Sequence, residues 1–176
     1  MSGKYWDRAW SLVEECAPVS EGCRNCWARA MDARFGRPWT GAVRFREDRL
    51  NLPARTGKQT LWAVWNDLFH ASVSDQQVWW ALGRMTLAPQ HVFLVLTKRP
   101  ERVAELLGGI QLSDNVWIGV SVEDQGRLGR VRTLAAIGAA HRFVSVEPML
   151  GMVEFDDDWW ESANRVGWVI CGGETG

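Results

Sequence analysis

Five short apolar runs, separated by helical patterns, constrain the fold of this chain more than any other feature. They lie at 60–65, 91–96, 116–120, 143–146 and 166–171, and they are rich in β-branched and aromatic residues. Each is nearly continuous in hydrophobicity, as expected of a strand covered on both faces. Helical patterns fill the intervals. Residues 74–85 place Val78, Trp79, Leu82 and Met85 on one face, with Ser74 as N-cap; 100–107 opens on Pro100; 124–137 stops before Gly138. Strand–helix–strand units with short connections predict a parallel sheet. A further strand around 10–14 brings the number to about six, which suits a partial, TIM-like (β/α) barrel better than a closed one of about eight. With 176 residues, 47% of them hydrophobic, the chain is expected to form a single α/β domain over 1–176.

Every one of these runs turns polar at its C-terminal end. Asn66, Asp67 and His70 follow the first, and Thr97, Lys98 and Arg99 the second. The others end Ser121-Val122-Glu123, Ser145-Val146-Glu147 and Gly172-Gly173-Glu174. Parallel α/β sheets bind ligands along that edge. Asp67, Lys98, Arg99, Glu123, Glu147 and Glu174 are therefore the candidate cofactor-binding residues. Lys98 and Arg99 suit a carboxylate or phosphate; the competing reading pairs them with Asp67, Glu123 or Glu147. Glu123 and Glu147 suit a ribose, an amino group or general-base work. His70 could ligate a metal or sit as a satisfied core histidine. His91 and His141 begin strands, at the edge away from this pocket. The three aspartates at 156–158 read as a solvated acidic loop.

The second clue is Cys16-x6-Cys23-x2-Cys26, which leads into a helical pattern through Phe35, so that 10–35 forms a cysteine loop and following helix. Cys-x-x-Cys lets one tight turn aim two sulfurs at one ion, and Pro18, Gly22 and Asn25 suit the loop. A helix N-terminus beside the sulfurs would stabilise thiolates. Three readings compete. One is a 4Fe–4S cluster with three protein ligands and a free iron. Another is zinc, with Cys171, His70, His91 or His141 as fourth ligand. The third is three thiols without metal.

Composition excludes less than it suggests. A net charge of −1 gives no indication of nucleic-acid binding. The first residues contain no apolar run, and no stretch is apolar enough to cross a membrane, so the cytoplasm is the expected location. Thiols stay reduced there, which favours metal binding over disulfides. Twelve tryptophans are expected mainly in helix–sheet contacts.

Several motifs together resemble the phage gene-product thirty-seven/sixty-eight family. They are Trp10 with the cysteine loop and Trp27-Ala28; Asn66-Asp67-Leu68-Phe69-His70; Leu87 to His91; Leu96-Thr97-Lys98-Arg99-Pro100; Asn115 through Glu123; Arg142 through Pro148; and Cys171-Gly172-Gly173-Glu174. The family is similar to radical S-adenosylmethionine enzymes in carrying a three-cysteine loop at the mouth of a β/α barrel, although its x6–x2 spacing differs from the usual one. The resemblance implies a 4Fe–4S cluster on Cys16, Cys23 and Cys26, with S-adenosylmethionine and a small-molecule or nucleotide substrate in an enzyme. The alternative it implies is a non-catalytic phage protein that binds a host protein, with the cluster or zinc as a structural element. The chain departs from the family in having Glu15, not glycine, before the first cysteine, and Trp27 for a usual tyrosine. Relatives run on through a strand–helix segment past the position of Gly176, so a shortened barrel and an incomplete catalytic site are expected.

Overall fold

The computed structural model describes residues 4–64, 66–155 and 166–173. Along the chain come β1 (Arg8–Trp10), β2 (Val13–Glu14), α1 (Trp27–Arg34), β3 (Arg44–Phe45), β4 (Leu61–Val64), α2 (Asp75–Thr86) and β5 (Val92–Thr97). Then follow α3 (Pro100–Leu107), β6 (Val116–Ser121), α4 (Gly129–Ala135), β7 (His141–Met149) and β8 (Trp168–Gly173). Six strands form one sheet in the order β1-β4-β5-β6-β7-β8, and every neighbouring pair is parallel. Sequential order with every crossover running the same way curls the sheet into a half-barrel, because a strand–helix–strand crossover is right-handed. The expected partial α/β barrel is therefore what the chain forms.

The expected first strand divides. Trp10 pairs with Val64 at the sheet edge. Three residues later, Val13 and Glu14 pair antiparallel with Phe45 and Arg44 in a separate ribbon. The Glu14 carboxylate gathers Arg44, Arg46 and Arg49 around it, which fixes the ribbon beside the sheet. The 124–137 pattern also divides, into a 3-10 turn at Gln125–Arg127 and the shorter α4. Gly126 and Gly129 in its first turns explain the weak start.

Strand alternation sorts the core into two layers. Phe93, Val95, Ile118, Val120, Val144 and Val146 face the helices. There they meet Val78 and Leu82 of α2, Val103 and Leu107 of α3, and Val131 and Leu134 of α4. Ser74 caps α2 with a full capping box: its hydroxyl accepts from Gln77 N, and Gln77 Oε1 accepts from Ser74 N. The buried face of α2 holds Ala81 where the sequence pattern put Trp79; both Trp79 and Trp80 are partly exposed. Val78, Ala81, Leu82 and Met85 follow the i, i+3, i+4, i+7 spacing of one helix face, and position 79 lies one step off it.

The concave face carries Leu94, Phe143 and Ile170, flanked by Leu61, Leu96, Trp117, Trp168 and Tyr5. Gly119 makes this layer possible. A Cβ on it would lie 2.4 Å from the Phe143 ring, which covers it. No helix among the described residues is long and apolar enough to cross a membrane.

Replacing Gly119 by Ala overpacks a ring already buried among Leu94 and Ile170. Urea unfolding is expected to show a loss of about 1–3 kcal/mol, with the slope of the transition unchanged.

Candidate functional site

The C-terminal ends of β4, β5, β6 and β7 meet the cysteine loop around a cavity of about 430 Å³. Cys16, Cys23 and Cys26 line one side of it, together with Asp67, Lys98 and Arg99. Ser121, Ser145, Glu147 and Tyr5 line it as well. Sequence-predicted residues from distant parts of the chain thus come together in one place.

Local geometry shapes the loop. Glu21–Cys23 forms a 3-10 turn closed by Cys23 N to Ser20 O at 3.0 Å. Cys26 is the N-cap of α1 but makes no capping bond with its side chain, so its sulfur is left for another role. Glu15 has φ 61, the left-handed region that favours glycine. That is the position where the family resemblance expects glycine. The Glu15 carboxylate accepts from Thr40 N and Thr40 Oγ1, each at 2.9 Å, and from Gly41 N, which offsets the unfavourable backbone. Asn66, with φ 58, donates from Nδ2 to Val13 O at 2.6 Å and ties the first strand end to the same region.

Two ion pairs fasten the loop to the sheet. Arg99 pairs with Asp67, donates to Ala17 O at 3.1 Å and reaches Cys16 Sγ at 3.9 Å. Asp67 is held in turn by Thr97 Oγ1 at 2.7 Å and by Phe69 N at 3.1 Å. Lys98 pairs with Glu123 and approaches Cys23 Sγ at 3.8 Å. Each cation therefore serves one carboxylate and one sulfur. The ion-pair reading of Lys98 and Arg99 is the observed one, and it leaves both cations against the thiols.

Glu123 does not line the cavity. It is wholly buried, with Ser20 Oγ donating to Oε1 at 2.7 Å and Arg130 Nη1 2.9 Å from Oε2. A Cβ on Gly22 would lie 2.4 Å from the Glu123 Cγ, so only glycine lets the loop close over this side chain. Glu123 is thus a clamp between the loop, β5 and α4. Burial alone would raise its carboxyl; hydrogen bonds from Lys98 and Ser20, with the charges of Lys98 and Arg130, outweigh that and hold it below the usual range.

Glu147 is different. It accepts from Ser145 Oγ at 3.0 Å and from Tyr5 OH at 3.5 Å, and it forms no ion pair among the described residues. Burial and the Glu147 charge push the Tyr5 hydroxyl up to about 12. Gly172 is required here as well, since its Cβ would lie 2.4 Å from Glu147 Oε1. Glu174, the aspartates at 156–158 and the Trp159-Trp160 pair lie outside the described residues.

The thiols differ in acidity. Burial would raise Cys23, but backbone hydrogen bonds from Val19 and Ser20 and the Lys98 charge bring it below the ordinary thiol value. Cys16 is pushed up, by burial first and then by the Asp67 charge. Both are reduced and partly buried, as is Cys26. No three His, Cys, Asp or Glu side chains among the described residues converge closely enough to hold an ion as they stand. The donor chemistry nevertheless fits a thiophilic centre: three free sulfurs on one cavity, two with a cation alongside.

The candidate fourth ligands for zinc are elsewhere. His91 Nε2 bonds with Pro53 O at 3.0 Å, and His141 stacks on Trp117 with centroids 4.5 Å apart. His70 Nδ1 accepts from Ser72 N at 3.1 Å, and Cys171 is exposed on the strand face opposite Ile170. None of the four lines the cavity.

Sequence reading missed Ser20, Arg130 and Tyr5. The first two carried no signal, since a serine in a loop and an arginine in a helix read as solvated. The family model described as Protein of unknown function (DUF5131) matches residues 2–176, and the chain belongs to that family. No curated protein and no solved structure matches it.

Removing Glu123 leaves Lys98 and Arg130 without their shared counter-ion. Glu123→Ala is expected to cost about 3–5 kcal/mol in urea unfolding. Because the folded carboxyl titrates low, its contribution is complete above the unfolded value of about 4.3 and is lost as pH falls through the lower folded value. The stability gap between wild type and Glu123→Gln should therefore be constant from neutral pH to about 5, and shrink below it. In metal-free protein, peptide mapping after brief iodoacetamide treatment near neutral pH should find Cys23 alkylated ahead of Cys16.

Proposed function

We propose that this member of a family of unknown function is an iron–sulfur protein that holds a 4Fe–4S cluster on Cys16, Cys23 and Cys26 and binds a small-molecule ligand, S-adenosylmethionine in the enzyme form, in the adjoining cavity. One observation carries the reading. All three cysteines open onto the same cavity at the C-terminal mouth of a parallel half-barrel, with Lys98 and Arg99 against two of the sulfurs. The resemblance to the phage gene-product family, and through it to radical S-adenosylmethionine enzymes, supports the choice of iron–sulfur over zinc. So does the position of Cys171 and of the three histidines, none of which lines that cavity.

When bound, such a cluster supplies an electron and one coordination position free of protein. The chain's own residues do the rest. Lys98 and Arg99 offset the negative charge of the thiolates. Their pairing with Glu123 and Asp67 fixes where those charges sit. Ser121, Ser145 and Glu147 offer hydroxyl and carboxylate groups to a polar ligand, while Leu96, Val19 and Trp6 exclude water from its flanks. A volume of about 430 Å³ falls within the usual range of small-ligand pockets, roughly 300–1,000 Å³.

Protein purified without oxygen is expected to be brown, with iron and sulfide in near-equal amounts. Cys23→Ala should lose both, as seen in metal analysis and visible absorbance. With a reductant and S-adenosylmethionine, the wild type is expected to release 5′-deoxyadenosine. Colourless protein that contains only zinc, or iron retained in Cys23→Ala, would overturn the ligand set. A cluster without S-adenosylmethionine binding or cleavage would favour the host-binding reading.

A further inference from the structure

The net charge of −1 conceals a separation of charge. Residues 24–58 carry Lys58 and eight arginines against Asp32, Glu47 and Asp48, a net +6, so the rest of the chain sums to −7. Such asymmetry within one domain points to a polyanionic partner.

The positive segment begins at α1, and α1 is an unusual helix. None of its residues is buried. Trp27, Met31 and Phe35, four apart and therefore on one side, are 48%, 42% and 65% exposed. Arg34 lies beside this stripe and forms no ion pair among the described residues. Arg37 sits over the Phe35 ring at 5.5 Å, and Arg29 over the Trp39 ring at the same distance. Cations interleaved with exposed aromatic faces are the arrangement that holds single-stranded nucleic acid, with guanidinium groups on phosphates and rings under bases. An acidic polypeptide would use the charges and leave the rings idle. Trp27 also lines the cavity, so the stripe leads from the protein surface to the cavity mouth.

We infer that α1, with Arg37 just after it, forms a binding surface for single-stranded nucleic acid. This assignment does not depend on what the cysteines hold.

The test is fluorescence anisotropy with labelled single-stranded DNA and RNA 20-mers of mixed sequence. Wild type should bind saturably in 50 mM KCl. Affinity should fall roughly 20- to 50-fold in 200 mM KCl, as expected for three or four phosphate contacts. Arg34→Gln with Arg37→Gln should weaken binding about tenfold. Phe35→Ala should do the same, since stacking on one ring is worth about a factor of ten or more. These side chains are exposed, and circular dichroism should show the fold unchanged. Arg84→Glu, on α2, should leave binding unaltered. A preference for RNA or for DNA identifies the strand and supports the surface in either case. No saturable binding at 50 mM KCl would overturn the inference. So would displacement by polyglutamate as readily as by oligonucleotide, equal weakening by Arg84→Glu, or a dimer of this chain seated on α1 and disrupted by Phe35→Ala without any nucleic-acid binding.

Discussion

The arrangement of this molecule turns on two ion pairs placed side by side, Asp67–Arg99 and Glu123–Lys98. They come from the ends of β4, β5 and β6, and each cation also reaches a cysteine sulfur. An irregular loop has no ladder of its own to fix it; here its position is set by charges that belong to the sheet. The desolvation cost of such pairs is high, and it is met only because each carboxylate has further donors: Thr97 and Phe69 N for Asp67, Ser20 and Arg130 for Glu123. Loop position and strand register therefore depend on each other. A shift of one residue in β5 would exchange the faces of Thr97 and Lys98 and separate both cations from the sulfurs.

The half-barrel and most of the site could be read from the sequence, for reasons particular to each. Continuous apolar runs marked the strands because both faces of β5 and β6 are covered. Polar strand ends marked the cavity because crossovers in a parallel sheet bring all those ends to one edge. Cys16, Cys23, Cys26, Asp67, Lys98, Arg99 and Glu147 do meet there. What stayed hidden depends on contacts between distant residues. Ser20 holds Glu123 across 103 positions, and Tyr5 reaches Glu147 across 142. No periodicity encodes such pairs. Glu123 carried the same local word, Val-Ser-Val-Glu, as Glu147, yet one is buried beneath the loop and the other opens to the cavity. The difference lies in Gly22 and Arg130, which cover the first.

Overall composition also hid the contrast between residues 24–58 and the rest of the chain. Residues 24–58 are basic and the remainder of the chain is acidic, so the sum is nearly zero. Folding offsets part of that separation, because Glu14 and Glu21, which precede the basic segment, pair with four of its arginines. Glu14 gathers three arginines inward, and the others remain at the surface.

The Phe143 ring that lies across Gly119 has a consequence for how this protein can change over time. It closes the concave side one layer below Leu96, Ser121 and Ser145, so nothing held in the cavity touches the residues beneath. Firmness is vested in the lower storey and selectivity in the upper. Relatives could trade the upper side chains to meet a new ligand while the lower storey keeps the barrel standing.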